Sequence, residues 1–115
     1  MNIPLSNDVL RHQNKVFWNT NGVSHNNHSE GFRPAFCDTQ SDRIELARYA
    51  DGTPAPFHML AGVPEEWVKR RNSCGRVTSL KSSVIAGFVR AGKFYTREQA
   101  ARFYDHHLSS LAANE

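Results

Sequence analysis

Long apolar runs are missing from this chain of 115 residues, and nothing in it approaches the ~20 consecutive apolar residues that cross a bilayer as a helix. The opening MNIPLSNDVLRHQNK lacks the apolar core behind a basic start that marks a secretory signal. Both absences lead to the expectation of a cytoplasmic protein with no membrane attachment. Cysteine is scarce as well. Cys37 and Cys74 are the only two, and neither belongs to a CxxC pair. In a reducing compartment they are expected to be free thiols, with at least one packed in the core. The chain carries no phosphate-cradling glycine loop, no serine elbow and no carboxylate pair in an apolar frame. These gaps remove the common nucleotide-dependent and hydrolytic classes. The expectation is a protein that is not an enzyme and takes no cofactor.

What is present is an ordinary globular composition, 39% hydrophobic and 22% charged. At this length it makes one domain. Residues 1–31 read as an N-terminal helix and a polar loop, and residues 32–115 as an α+β core. Within 6–18, Ser6 suits an N-cap and Asp8 the first turn. Val9, Leu10, Gln13, Val16 and Phe17 share a helical face, with Leu5 as a staple. Residues 19–31, NTNGVSHNNHSEG, are nearly all Asn, Ser, His and Gly. They are expected to bury little and to form a long mobile loop.

FRPAFCD and RIELARYA flank TQSD and alternate as a β-hairpin does. Pro34 cannot donate to a ladder, which argues for an edge strand or an exposed position. A turn-rich DGTPAP follows. Pro64-Glu65-Glu66 suits a short helical turn near 64–67. WVKRR and RVTSLK then make a second hairpin around NSCG, with Gly75 at positive φ. In 84–95, Val84, Ala86 and Phe88 alternate with Ile85, Gly87 and Val89, and Phe94 and Tyr95 return after a three-residue RAG loop. Thr96 and Gln99 form a capping box, with Glu98 in the first helical turn. Ala100, Phe103, Tyr104, His107, Leu108 and Leu111 make one apolar stripe. The predicted fold is therefore α+β: a small antiparallel sheet of two to three β-hairpins, packed by a C-terminal helix, with a short N-terminal helix.

GFVRAGKFYTREQA (87–100) resembles a signature of small bacterial and phage proteins that have no assigned activity. Their pattern is Gly-Phe-aliphatic, a short loop, Gly-basic-Phe, then Arg-Glu-x-Ala. Residues 32–67 resemble small proteobacterial proteins in which a Gly often stands where this chain has Asp42. The resemblance covers about two-thirds of the chain. It implies a bacterial or mobile-element setting and transfers no functional residue.

Three constellations invite chemistry. His25 and His28 have the spacing of a zinc half-site, with Cys37, Cys74, His106 and His107 as further ligands. No second matched pair completes a tetrahedral set, so solvated histidines are expected and no metal site. Cys74 could be a nucleophile if His58 served as its base, but Ser-Cys-Gly is explained by turn chemistry alone. Charge is the strongest feature. Residues 64–102 hold nine Lys/Arg against three acids, whereas residues 1–63 hold five against six. Lys69, Arg70, Arg71, Arg76, Lys81, Arg90 and Lys93 are the candidate binding residues. Trp67, Phe88, Phe94 and Tyr95 are candidate stacking partners, although the ordinary place for such aromatics is the core. The functional expectation is an interaction or regulatory module with an acidic protein partner, such as an inhibitor encoded by a phage or plasmid. The alternative is a nucleic-acid binder that uses the basic face of residues 64–102.

Overall fold

The computed structural model of the chain describes residues 4–18, 20, 22–27 and 31–102. Ser6 holds extended backbone ahead of helix α1 (Asn7–Val16), and its Oγ accepts a hydrogen bond from Val9 N at 3.2 Å. Leu5 and Leu10 enter the core beside the start of the helix. Val16 does not, and is 59% exposed, because the last turn runs past the apolar cluster. The polar stretch also departs from expectation. Its described part includes one helical turn, α2 (Ser24–Asn27), and both Val23 and Asn27 are buried. Gly22 O accepts from Arg97 Nη1 at 3.1 Å, so a residue far along the chain pins this segment.

Four strands form an antiparallel sheet in the order β2-β1-β5-β6: β1 (Arg33–Asp38), β2 (Arg43–Leu46), β5 (Val84–Arg90) and β6 (Lys93–Thr96). Between β2 and β5 the chain makes a short 3-10 turn over Glu65–Trp67 and a separate hairpin, β3 (Val68–Arg71) with β4 (Val77–Leu80). Both features match their sequence signals.

Pro34 corrects one expectation. Its strand is not at an edge, since β1 pairs with β2 on one side and β5 on the other. Pro34 O accepts from Ala47 N at 2.9 Å, so the missing Pro34 donor faces the β2 side, just beyond the Ala35–Leu46 pair. The acceptor it would have used, Ala47 O, instead takes Ala55 N at 2.9 Å. The proline therefore leaves no orphan.

The β5–β6 turn is a second correction. Arg90 pairs directly with Lys93, so the loop is two residues, Ala91 and Gly92, not three. Both take positive φ, 53° and 79°, as the tight hairpin turn with matching twist requires. Asp42, at φ 60°, likewise occupies a left-handed position in the β1–β2 turn.

The final helix begins as its capping box predicts. Thr96 N donates to Gln99 Oε1 at 2.9 Å, and Gln99 N donates to Thr96 Oγ1 at 3.1 Å. Residues 97–102 are helical (α3), Ala100 is fully buried, and Glu98 pairs with Arg102 one turn on. The remainder of the expected stripe, Phe103 to Leu111, lies outside the described residues.

The fold is thus α+β. Cross-strand partners share a face, so Pro34, Phe36, Val84, Ala86 and Phe88 all point to one side of the sheet. Phe36, Val84 and Ala86 pack with Leu5, Leu10, Trp67 and Leu80. Phe88 packs with Phe32 and Ala100. Among the described residues, no helix is long and apolar enough to cross a membrane.

Candidate binding site

The β3–β4 hairpin is built by its turn. Asn72 Oδ1 accepts from Cys74 N at 2.9 Å and Arg76 N at 3.0 Å, and Asn72 N donates to Arg76 O at 2.9 Å. Gly75 supplies the positive φ, 81°. Two compensating register shifts interrupt the ladder between Val68 and Arg71. They break the alternation of β3, and Lys69, Arg70 and Arg71 are all exposed in consecutive positions.

The seven basic residues expected to share a face do not have one role. Lys69, Arg70 and Arg76 are exposed and form no ion pair among the described residues. Arg71 is engaged by Glu65 and by Gly75 O, the latter at 2.7 Å. Lys81 Nζ sits 2.8 Å from Asp38 Oδ2. Asp38 is buried and also accepts from Gln40 N and Ser41 Oγ, so its carboxyl is held well below the usual carboxylate range, with the Lys81 hydrogen bond as the largest cause. Lys81 therefore belongs to the β1–β2 turn. Arg90 lies over the Phe32 ring at 5.8 Å and Lys93 over Tyr95 at 5.4 Å. These two flank the far end of β5, roughly 20 Å of strand from the end nearest Lys81. The basic region is split between the two ends of the sheet.

The strand aromatics considered for stacking divide as well. Trp67 and Phe88 are core residues, and Phe94 and Tyr95 are half-buried. Two aromatics that sequence reasoning passed over are exposed instead, Tyr49 at 37% and Phe57 at 50%. Both lie in the turn-rich connection between β2 and the 3-10 turn. With the tip of the β3–β4 hairpin they border a cleft of about 800 Å³. Arg71 and Arg76 line it, and none of its lining residues is an Asp or Glu. The available signal was an aromatic on each side of DGTPAP, where no strand or helix carries it inward.

His58 also borders this cleft, but its ring is committed elsewhere. Nε2 lies 2.7 Å from Gly87 O, and Nδ1 lies 3.0 Å from Arg97 Nη2. A carbonyl only accepts and a guanidinium only donates, so the ring is neutral, with its proton on Nε2. Burial first, and the Arg97 charge second, push its pKa down to about 3. The ring packs edge-on between Phe36 and Phe88, with centroids at 5.4 and 5.1 Å, and so joins the two apolar clusters. Arg97 is itself 3% exposed, donates to Asn14 Oδ1 at 2.8 Å, and has its pKa lowered by burial to about 10. With both nitrogens occupied, His58 has none left to serve as a base for Cys74.

Cys37 is buried and Cys74 exposed, both free. Among the described residues no group of three His, Cys, Asp or Glu side chains is arranged to hold a metal ion. His28, His106, His107 and the side chain of His25 lie outside the described set. Comparisons with protein-family models, curated proteins and solved structures find no match for this chain.

Proposed function

We propose that this protein is a small non-enzymatic interaction or regulatory module that binds an acidic protein partner through the β3–β4 hairpin. The observation that carries this reading is the set of three cations, Lys69, Arg70 and Arg76, that have no ion-pair partner among the described residues and sit on a hairpin whose turn is fixed by Asn72. Every other basic side chain among the seven candidates has an acid, a carbonyl or a ring to engage it. Unpaired charges on a fixed frame steer an oppositely charged partner and set its orientation. The two free thiols fit a reducing cytoplasm. The likeness of 87–100 to small bacterial and phage proteins implies no activity, but it agrees with a gene carried on a phage or plasmid.

The test is capture of a partner from host lysate by tagged wild type and by the Lys69/Arg70/Arg71→Glu triple variant, each with and without nuclease. The expected result is a protein retained by wild type after nuclease and lost by the triple variant. Capture that survives the triple change would overturn the assignment to this hairpin. A second reading, nucleic-acid binding, is favoured by one observation: Tyr49 and Phe57 stand exposed beside Arg76, as base-stacking side chains do. Capture that disappears with nuclease would select it.

A further inference from the structure

Deepening the binding-module reading, on which it rests, we propose that the cleft between the β3–β4 tip and the Tyr49–Phe57 side takes an acidic peptide segment carrying one aromatic or large aliphatic anchor. Its volume, about 800 Å³, is that of a pocket for a few residues. Its charge is one-sided, since two arginines line it and no carboxylate does. Arg71 is engaged by Glu65, whereas Arg76 is uncommitted. Its lining includes the apolar side chains of Met59, Leu60 and Val77, and Tyr49 and Phe57 stand exposed at its border. An apolar side chain seated there removes both aromatics from water, while an acidic neighbour meets Arg76. Such a central anchor with a charged rim is how interfaces concentrate their energy.

The surroundings favour a peptide over a nucleic-acid strand. Strand binders line up cations along a groove at each phosphate. Here Glu65 engages Arg71 of the hairpin, Glu66 engages Arg43 on β2, and Arg90 and Lys93 stand at the far end of β5. One short cleft with one free arginine suits a single acidic residue beside an anchor.

The probes are a random glutamate–tyrosine copolymer, polyglutamate of matched length, and oligo-dT of matched charge. Binding is measured by fluorescence anisotropy at roughly 50 and 300 mM salt, where screening separates surface charge from buried contact. The copolymer is expected to bind about tenfold or more tighter than polyglutamate and to retain binding at the higher salt. Phe57→Ala and Arg76→Glu should each weaken it by about tenfold, a hot-spot-sized loss. Lys93→Glu, an identical charge change at the far end of the sheet, should leave it unchanged. All three positions are exposed, and urea midpoints confirm that the variants fold. Equal binding of copolymer and polyglutamate overturns the proposal, as does Lys93→Glu acting like Arg76→Glu. Tighter binding of oligo-dT, lost in the same two cleft variants, assigns the cleft to single-stranded nucleic acid instead. A lysate partner lost by the Lys69/Arg70/Arg71 variant but kept by Phe57→Ala removes the cleft assignment and leaves the hairpin module standing.

Discussion

Lowering the pH from 7 to 5 should withdraw the stability that His58 contributes to this protein. In the unfolded chain a histidine takes up its proton near pH 6.5. In the fold, burial and the neighbouring Arg97 delay that uptake to about pH 3. The unfolded state therefore binds more protons throughout this window, and stability rises with pH. His58 contributes its full share above pH 6.5, and that share is lost progressively as pH falls toward 3. The limiting slope is about 1.4 kcal/mol per pH unit, and integration from pH 7 to 5 gives about 2 kcal/mol. Carboxylates titrate below this range, so the loss is separable from ordinary acid unfolding. The assay is urea denaturation at pH 7, 6 and 5 for wild type and His58→Gln. Glutamine can still donate to Gly87 O and accept from Arg97, but it does not titrate. The variant should be less stable at pH 7 yet show a flatter dependence down to pH 5. Arg97→Met adds a second arm. Removing the guanidinium removes one of the two causes that depress His58, so the loss should still begin near pH 6.5, where the unfolded chain titrates, but should level off at a higher pH than in wild type. A wild type equally stable at pH 7 and 5, or a His58→Gln protein that keeps the slope, refutes the neutral, desolvated imidazole.

Three further outcomes follow from local geometry. Thr96→Ala removes the Oγ1 acceptor for Gln99 N and should cost about 1 kcal/mol in urea melts. Gly87→Ala should cost about 1–3 kcal/mol, because a Cβ there would collide with Tyr95 O and the Phe94 ring that crosses the glycine. Ala91→Asn should stabilise by several tenths to about 1 kcal/mol, because Asn tolerates the left-handed turn position that Ala occupies at φ 53°; a lower thermal midpoint would show that the turn is not strained.

The parts of this fold legible in the sequence are those decided by neighbours in the chain. The Thr96–Gln99 box, the Ser6 cap, the Asn72–Gly75 turn and the 3-10 turn after Pro64 each rest on side chains within four residues of the backbone they serve. Pro34 could not be read this way. Its strand gains β5 as a second partner from some fifty residues on, and its missing donor is tolerated because Ala55 reaches Ala47 O. The polar segment 19–31 shows the same limit, since the donor to Gly22 O comes from 75 positions away. The candidate site was harder still. Charge content marked residues 64–102 correctly as basic, but content says nothing of pairing. Lys81 was claimed by Asp38, a buried carboxylate in a turn that closes only in the folded chain. Tyr49 and Phe57 carried no periodic signal, because a connector without strand or helix has no face to read.

Pairing also decides how strongly this protein can attract any polyanion, and salt dependence measures it. If all seven candidate cations met phosphates on a duplex, the slope of log K against log salt would be about −6, at roughly 0.9 per phosphate. The geometry excludes that contact. Arg90 and Lys93 lie at the opposite end of β5 from Lys81, Lys81 is held by buried Asp38, and Arg71 faces Glu65. Three cations remain for simultaneous use, Lys69, Arg70 and Arg76, which brings the slope to about −3. Titrating labelled duplex DNA across a salt series reads this slope without requiring DNA to be the native ligand. Arg76→Ala should reduce it by about one, and Lys93→Ala should not change it. A slope near −6, or equal losses from Arg76→Ala and Lys93→Ala, would mean that the two basic ends act on one surface, and the division drawn between them would fall.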